Sequence, residues 1–510
     1  MDITTLGFLL FVAVGLIIYY ILPQKSKWIL LLVMSGIFYT CADFRNIVFI
    51  LCFTCSSYFF GKAIEIKLAK SSENTTIQTG GGIPLRGSPK FLVTLSIFVN
   101  VLILFLIKYL PAALPINYSI QDKAKFLKYF MPIGISYYTL MSISYILDVY
   151  WEKTKAEHNF FKLMLFTGYF PLLVQGPISK WEQLSGEFFK EHEFNFKNIK
   201  FGTELMLWGF FKKLIIADRV GVWVNGIFNP AHSLPYGFEA VLGLVFYALQ
   251  LYADFSGGID VIRGASQCFD INLSENFRQP YFSKSLGEFW RRWHISLGAW
   301  MKDYIFYPVA LSKTCNNAKK YIKNHGINGK TANQLSFAIA DLIVFFLVGL
   351  WHGAGSKFIL WGVYNGVILA FSELMKDTYV KQKRFFHIND KSLVWNSFCI
   401  IRTIIIVLVG YCFDVTVNGG QAIKLFINIF KVGPSIWNYI SFTNMSAALV
   451  VFCSIILLCV DILNDKGICI REHLHKKNYF IQLIVWTLVL QMLFCFGKVA
   501  FEGGFLYANF

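Results

Sequence analysis

In Asp341-Leu342-Ile343-Val344-Phe345-Phe346-Leu347-Val348-Gly349-Leu350-Trp351-His352-Gly353-Ala354-Gly355, an apolar run ends on an imidazole set among glycines. From Leu342 the run offers about ten residues, or about 15 Å of helix at ~1.5 Å per residue. The hydrocarbon core of a bilayer is ~30 Å thick. If Asp341 marks the cytoplasmic surface, His352 lies near the bilayer middle. Gly353 and Gly355 then break the helix, and a second apolar helix starts near Ser356. Broken helices occur at membrane depth where they line a cavity. An ionisable group there is a functional candidate, and an imidazole can serve as general base near neutral pH. A second reading makes the stretch a helical hairpin turning at the outer surface. Trp351 is then an aromatic-belt residue and His352 its solvated neighbour.

The rest of the chain carries the same membrane signature. Of 510 residues, 56% are hydrophobic and 15% charged, against roughly 25% charged in soluble domains. Spanning candidates fall at roughly 5–22, 28–42, 46–60, 91–110, 129–150, 203–221, 238–260, 336–352, 357–373, 397–414, 446–464 and 479–498. The segment 160–177 is apolar but holds Gly168, Pro171, Gly176 and Pro177, so it reads as re-entrant. Ser71 to Pro89, with Gly80, Gly81 and Gly82, reads as a flexible loop. The expected fold class is all-α, a polytopic transmembrane helical bundle.

The net charge of +17 does not imply nucleic acid, because Lys and Arg gather in short loops between apolar runs. Lys25 and Lys27, then Lys62, Lys67, Lys70, Arg86 and Lys90, mark two cytoplasmic loops. The basic stretch 274–335, and the loops at 374–395 and 464–477, should face the cytoplasm too. Both termini then lie outside a plasma membrane. The N-terminus, apolar from Leu6 to Leu22 with no basic leader, reads as a retained first helix. Of 11 cysteines most lie in apolar stretches, and the CxxC at Cys52 and Cys55 has no second pair, so no metal site is expected.

A second imidazole, His294, lies in Glu288-Phe289-Trp290-Arg291-Arg292-Trp293-His294-Ile295-Ser296-Leu297. Trp290, Trp293, Leu297, Trp300 and Tyr304 recur at helical steps, which predicts one helix with an aromatic stripe. Glu288 can pair with Arg291 or Arg292 one turn on. With its basic flanks the stripe has the composition of an interfacial helix, with His294 on the polar face. Asp254 and Asp260 flank Ser256-Gly257-Gly258, as helix caps or as part of a polar site. Gln175-Gly176-Pro177 can line a cavity. His473 and His475 sit in a basic loop and read as solvated. The chain has no Walker loop, dinucleotide fingerprint or HExxH motif.

Taken together, the Glu288–Leu297 stretch, Trp300-Met301-Lys302-Asp303-Tyr304-Ile305 and Gly349–Ala354 resemble the membrane-bound O-acyltransferase (MBOAT) family. The likeness is to its bacterial branch of alginate O-acetylation and teichoic-acid D-alanylation proteins. Met131–Thr139, Gly168–Pro171, Gln175–Ile178 and Tyr252–Gly257 match in the same order, so the resemblance covers about 130–365 as the family core of one integral membrane domain. It implies a helical bundle, thin at its centre, with a funnel through it. It makes His352 the catalytic histidine at the neck and His294 the second one, near the cytoplasmic mouth. Trp351, Gln175, Trp293 and Asp254 are the expected funnel lining, and Arg291, Arg292 and Lys302 the expected donor-binding cations. After about 375 little matches except the ending, Gly504–Phe510.

The function implied is transfer of an acyl group, acetyl in the leading reading, from a cytoplasmic thioester to an exported polysaccharide. The donor is acetyl-CoA or another phosphopantetheine thioester, with no bound cofactor. A separate extracellular or periplasmic O-acetylation partner is expected, since the chain shows no soluble domain to hold a polymer. Tyr507 is a candidate acyl relay or partner-docking residue, or one more aromatic at the interface. D-alanyl transfer to teichoic acid is one alternative. A transporter without chemistry is another; it needs paired intramembrane charges, and the sequence offers few buried acids.

Overall fold

The computed structural model describes residues 3–77, 89–113, 132–326, 328–435 and 444–497. Among these the regular structure is helical, and extended pairing is confined to one isolated bridge between Phe277 and Trp293. The chain divides into two compact units: residues 1–206 with 261–274, and residues 207–260 with 275–510.

The first unit is built on α1 (Leu6–Ile21), α2 (Gln24–Ala42), α3 (Asn46–Ile77), α4 (Pro89–Ala113) and α5 (Ile135–Tyr150). Tyr39, Ile50, Phe53, Ile135, Tyr138 and Leu173 form one of its apolar cores. The stretch expected to re-enter folds as two short helices, Phe160–Gly168 and Leu172–Gln175. The longer, of 9 residues, reaches only ~14 Å, too little to cross a bilayer. Helix α3 continues to Ile77, so the start of the expected Ser71–Pro89 loop is helical; 78–88 lie outside the described residues.

The second unit carries a π-helix, π1 (Phe211–Ala217), followed by α6 (Asp218–Ile227) and most of α7 (Gly237–Cys268). Next come α8 (Leu286–Arg292), α9 (Ile295–Met301) and a second π-helix, π2 (Lys302–Phe306). The long helices α10 (Gly329–His352), α11 (Ser356–Leu374), α12 (Leu393–Val415), α13 (Asn444–Asp465) and α14 (Tyr479–Phe496) complete it. Much of 274–335, expected as a basic loop, is thus helical, with Phe289, Trp293, Trp300 and Tyr304 buried.

Among the described residues 7 helices are long and apolar enough to cross a membrane: α3, α4, α7, α10, α12, α13 and α14. Of the other expected spans, α1 and α5 have 16 residues each, 203–221 is interrupted by π1, and α11 bends by 59° into Lys376–Phe385.

Helices α10 and α11 pack along their length and cross where glycines face each other. A Cβ on Gly349 would sit 2.4 Å from the Phe358 carbonyl oxygen, and one on Gly362 2.4 Å from that of Phe345. No side chain fits, so the two backbones touch. Gly353, after the helix end, lacks a side chain for a similar reason: its backbone is extended (φ 171), and a Cβ would press on the Phe358 ring at 2.5 Å. The crossing yields a test. Gly349→Ala is expected to destabilise the protein by about 1–3 kcal/mol through overpacking, read as a lower melting temperature in detergent. Gly186→Ala, where nothing lies within 4 Å, should not lower it. Equal melting of both variants would show that the close approach is not required.

Candidate functional site

His352 is the last residue of α10 and is 8% exposed. Its ring lies edge-on to Trp351 (centroids 4.9 Å apart) and Trp361 (5.3 Å), and stacks at 6.4 Å over Phe358. It is not a solvated neighbour, and α10 and α11 form a helical hairpin that turns at 353–355. With Trp290, Trp293 and Trp361 it forms the wall shared by two cavities.

The larger cavity, about 480 Å³, has Arg291, His294, Lys302, Phe306 and Asp341 on its lining. Asp341, Val344, Phe345, Val348 and His352 follow one another on it at helical steps along α10. From Asp341 to His352 that wall runs roughly 17 Å. Asp341, the conditional mark of the cytoplasmic surface, lies within α10, which begins at Gly329, and faces this cavity. The smaller chamber, about 30 Å³, is lined on its far side by Tyr247, Phe358, Tyr411 and Asp414.

The expected continuous helix through Trp290 and Tyr304 is broken at Trp293–His294. His294 takes the left-handed conformation (φ 47), uncommon outside glycine, between α8 and α9. The extended segment 276–278 holds the break open. Arg278 N donates to the Arg292 carbonyl (2.9 Å), and Ile295 N to that of Asn276 (3.0 Å). The Asn276 side chain then fixes the imidazole. Its Oδ1 accepts from the Ser296 N–H and hydroxyl, each at 2.9 Å, so its Nδ2 donates to His294 Nδ1 at 3.1 Å. This leaves the proton on Nε2. At 2% exposure His294 is no polar-face residue; burial pushes its pKa down to about 3, so the ring is neutral at physiological pH. Sequence reasoning missed Asn276, which lies 18 residues upstream in a polar stretch without a motif.

Of the other expected site residues, Trp293, Arg291 and Lys302 join His352 and His294 at the larger cavity. Trp351 lies against the His352 ring, off both cavity linings. Arg292 is held by Glu288 (2.8 Å) and Asp465 (2.6 Å), which makes it a strut. Gln175 belongs to the first unit, fully buried, its amide without a hydrogen-bond partner among the described residues. Tyr507 lies outside the described residues.

Asp254 and Asp260 are not caps but part of a buried polar site. Both lie within α7 and face lysines of π1: Lys213 Nζ is 2.6 Å from Asp254 and 2.9 Å from Asp218, and Lys212 Nζ is 2.7 Å from Asp260. Both lysines are buried. The expectation of few buried acids fails here: the acids are present, neutralised by a Lys-Lys pair that reads in sequence as an interruption of an apolar run. Among the described residues no cluster of His, Cys, Asp or Glu could hold a metal ion.

His294 gives the site a pH signature. Its folded pKa of about 3 lies below the unfolded value of roughly 6.5, so the unfolded chain takes up the proton first as pH falls. Stability is therefore lost below pH ~6.5, by about 2 kcal/mol between pH 7 and 5 from this group. His294→Asn, a residue that tolerates the left-handed conformation, should flatten that part of the melting-temperature profile. An unchanged acid slope in the variant would refute the assignment.

The sequence profile of the membrane-bound O-acyltransferase family matches residues 153–322. The chain is 30% identical to a probable alginate O-acetylase of Pseudomonas aeruginosa over 438 residues, covering 83% of this chain and 74% of that protein. It is 26% identical to a peptidoglycan O-acetyltransferase of Helicobacter pylori, covering 99% of this chain and 97% of that one. To a teichoic acid D-alanyltransferase of Bacillus subtilis it is 27% identical, over 57% of this chain and 69% of that one. With its apolar helices and the cavities meeting at His352, the chain belongs to the membrane-bound O-acyltransferase family and is a multi-pass membrane acyltransferase.

Proposed function

We propose that the chain transfers an acetyl group from a cytoplasmic thioester to an exported polysaccharide, with His352 as the general base. The observation that carries this is the position of His352 in the wall common to both cavities. One ring can thereby meet a donor on one side and an acceptor on the other. The larger cavity suits the donor. Its exposed Arg291 and Lys302 attract the phosphates of CoA or of a carrier-bound phosphopantetheine. The thioester then reaches His352 along α10. The neutral His294, with its proton on Nε2, can donate a hydrogen bond to the thioester oxygen as charge develops there.

Acetyl is favoured over D-alanyl because the relatives covered most fully act, by name, as O-acetylases. Loop charges support a cytoplasmic donor side with both termini outside, and an external partner that completes the reaction is part of this proposal.

His352→Ala is expected to leave insertion intact and abolish acylation of the glycan, and His294→Ala to weaken it at least tenfold (~1.4 kcal/mol). A His352→Ala strain that acylates normally would end this mechanism. Separately, CoA affinity of the purified protein should fall as salt rises, and Arg291→Ala with Lys302→Ala should remove that dependence. Salt-independent binding by the unaltered protein would count against the cavity as donor site.

A further inference from the structure

A third cavity, of about 240 Å³, lies between α7, α12 and α13 of the second unit. Val245, Leu249, Ile404, Leu408, Leu457 and Leu458 make its lining almost wholly apolar, and the segment 279–282 forms a further wall. The three helices are each long and apolar enough to span, and Val245 and Leu458 are also exposed on their outer surface. The cavity therefore opens toward hydrocarbon. Water does not hold such a cavity, because a buried water needs polar partners. Left empty, the lining forfeits its dispersion contacts. An aliphatic chain from the bilayer supplies them. Asp461, the acid on the lining, accepts from the Tyr252 hydroxyl at 2.9 Å and is engaged within the protein.

The rim of the cavity carries positive charge. Arg402 lies two residues before Ile404 and is exposed on α12, whose Phe398, Ile401 and Ile405 are exposed as well. From Leu393 to Arg402 is about 14 Å of helix, so the guanidinium belongs to the span, where a bare charge is costly. Its Nη2 donates to the Lys284 carbonyl at 2.7 Å. That bond draws it to the chain just beyond Phe282 of the cavity wall. It uses one of the five N–H groups of an arginine. The others have no partner among the described residues, and neither does the ammonium of the exposed Lys284.

We infer that this cavity binds one anionic glycerophospholipid, with an acyl chain in the cavity and the phosphate on Arg402 and Lys284. Basic groups between spanning helices recognise anionic headgroups in this way. A guanidinium matches a phosphate as a bidentate pair, and the pairing relieves the charge at that depth. The bound chain also packs behind the chamber beside His352. Tyr281 lines the lipid cavity, and its hydroxyl lies 3.1 Å from that of Tyr411, which lines the chamber.

The test is native mass spectrometry of the full-length protein, stripped of lipid in detergent and titrated with phosphatidylglycerol or phosphatidylcholine of the same acyl chains. The first phosphatidylglycerol is expected to bind at least about fivefold more tightly than the first phosphatidylcholine. Arg402→Gln with Lys284→Gln should abolish that preference and leave phosphatidylcholine binding unchanged; Lys284→Gln alone should reduce it, and serves if the double variant does not fold. Leu458→Trp, which fills the mouth from an exposed position, should weaken both lipids at least about fivefold, and Leu408→Phe serves if it does not fold. Glycerol 3-phosphate, a headgroup without chains, should not compete at the concentrations that saturate with lipid. Equal affinity for the two lipids, a preference that survives loss of the cations, unchanged lipid binding in the filled variants, or displacement by glycerol 3-phosphate at equal concentration overturns the inference.

Discussion

The contact between the backbones of α10 and α11 at Gly349 and Gly362 fixes the geometry of the site. It brings the end of α10, where His352 lies, against the face of α11 that carries Phe358 and Trp361. A side chain at either glycine would push the helices apart, and the shared wall would open. In hydrocarbon, association of helices depends on such close packing, because lipid is as apolar as the helices themselves. The histidine is thus held by packed rings rather than by a mobile loop.

The opposite wall rests on a different device. A helix running straight through Trp290–Tyr304 would carry its aromatic residues as one stripe. The segment 276–278 takes over backbone hydrogen bonds at the break, and Asn276 locks His294 there. Trp290 then packs on Trp361 (5.5 Å) while Trp293 stacks on Phe289 (5.5 Å). The strain of a left-handed histidine, of order 1–3 kcal/mol, is offset by the hydrogen bonds that surround it.

Charge inside the second unit is handled by pairing. Lys212 and Lys213 are adjacent, yet each finds its own acid on α7. A π-helix changes the angular spacing of residues relative to an α-helix, and such bulges recur at functional sites. Breaking one of these buried pairs would leave an uncompensated charge, at a cost of about 3–5 kcal/mol. These charges join π1 to α7, which also supplies Tyr247 and Leu251 to the chamber beside His352.

The amino-acid sequence alone determined the all-helical membrane class, the approximate positions of the long spans, and the candidacy of His352 and His294. These are legible because apolar run length is a local property, and because an imidazole in an apolar run has a cost that marks it out. Tertiary structure alone decided which charged groups distant in sequence meet; the Glu288–Arg292 pair, one helical turn apart, was already legible. Asp254 looked like a cap or a pore residue, Arg292 like a ligand for the donor, and Asp341 like a surface marker. Their roles were set by Lys213, by Asp465 and by the larger cavity, and the first two of these partners lie 41 and 173 residues away along the chain. Asn276, Tyr411 and Asp414 carry no motif, and their positions beside the histidines arise from contacts distant in sequence. Hydropathy records the solvent each segment prefers; it holds no record of which segments become neighbours.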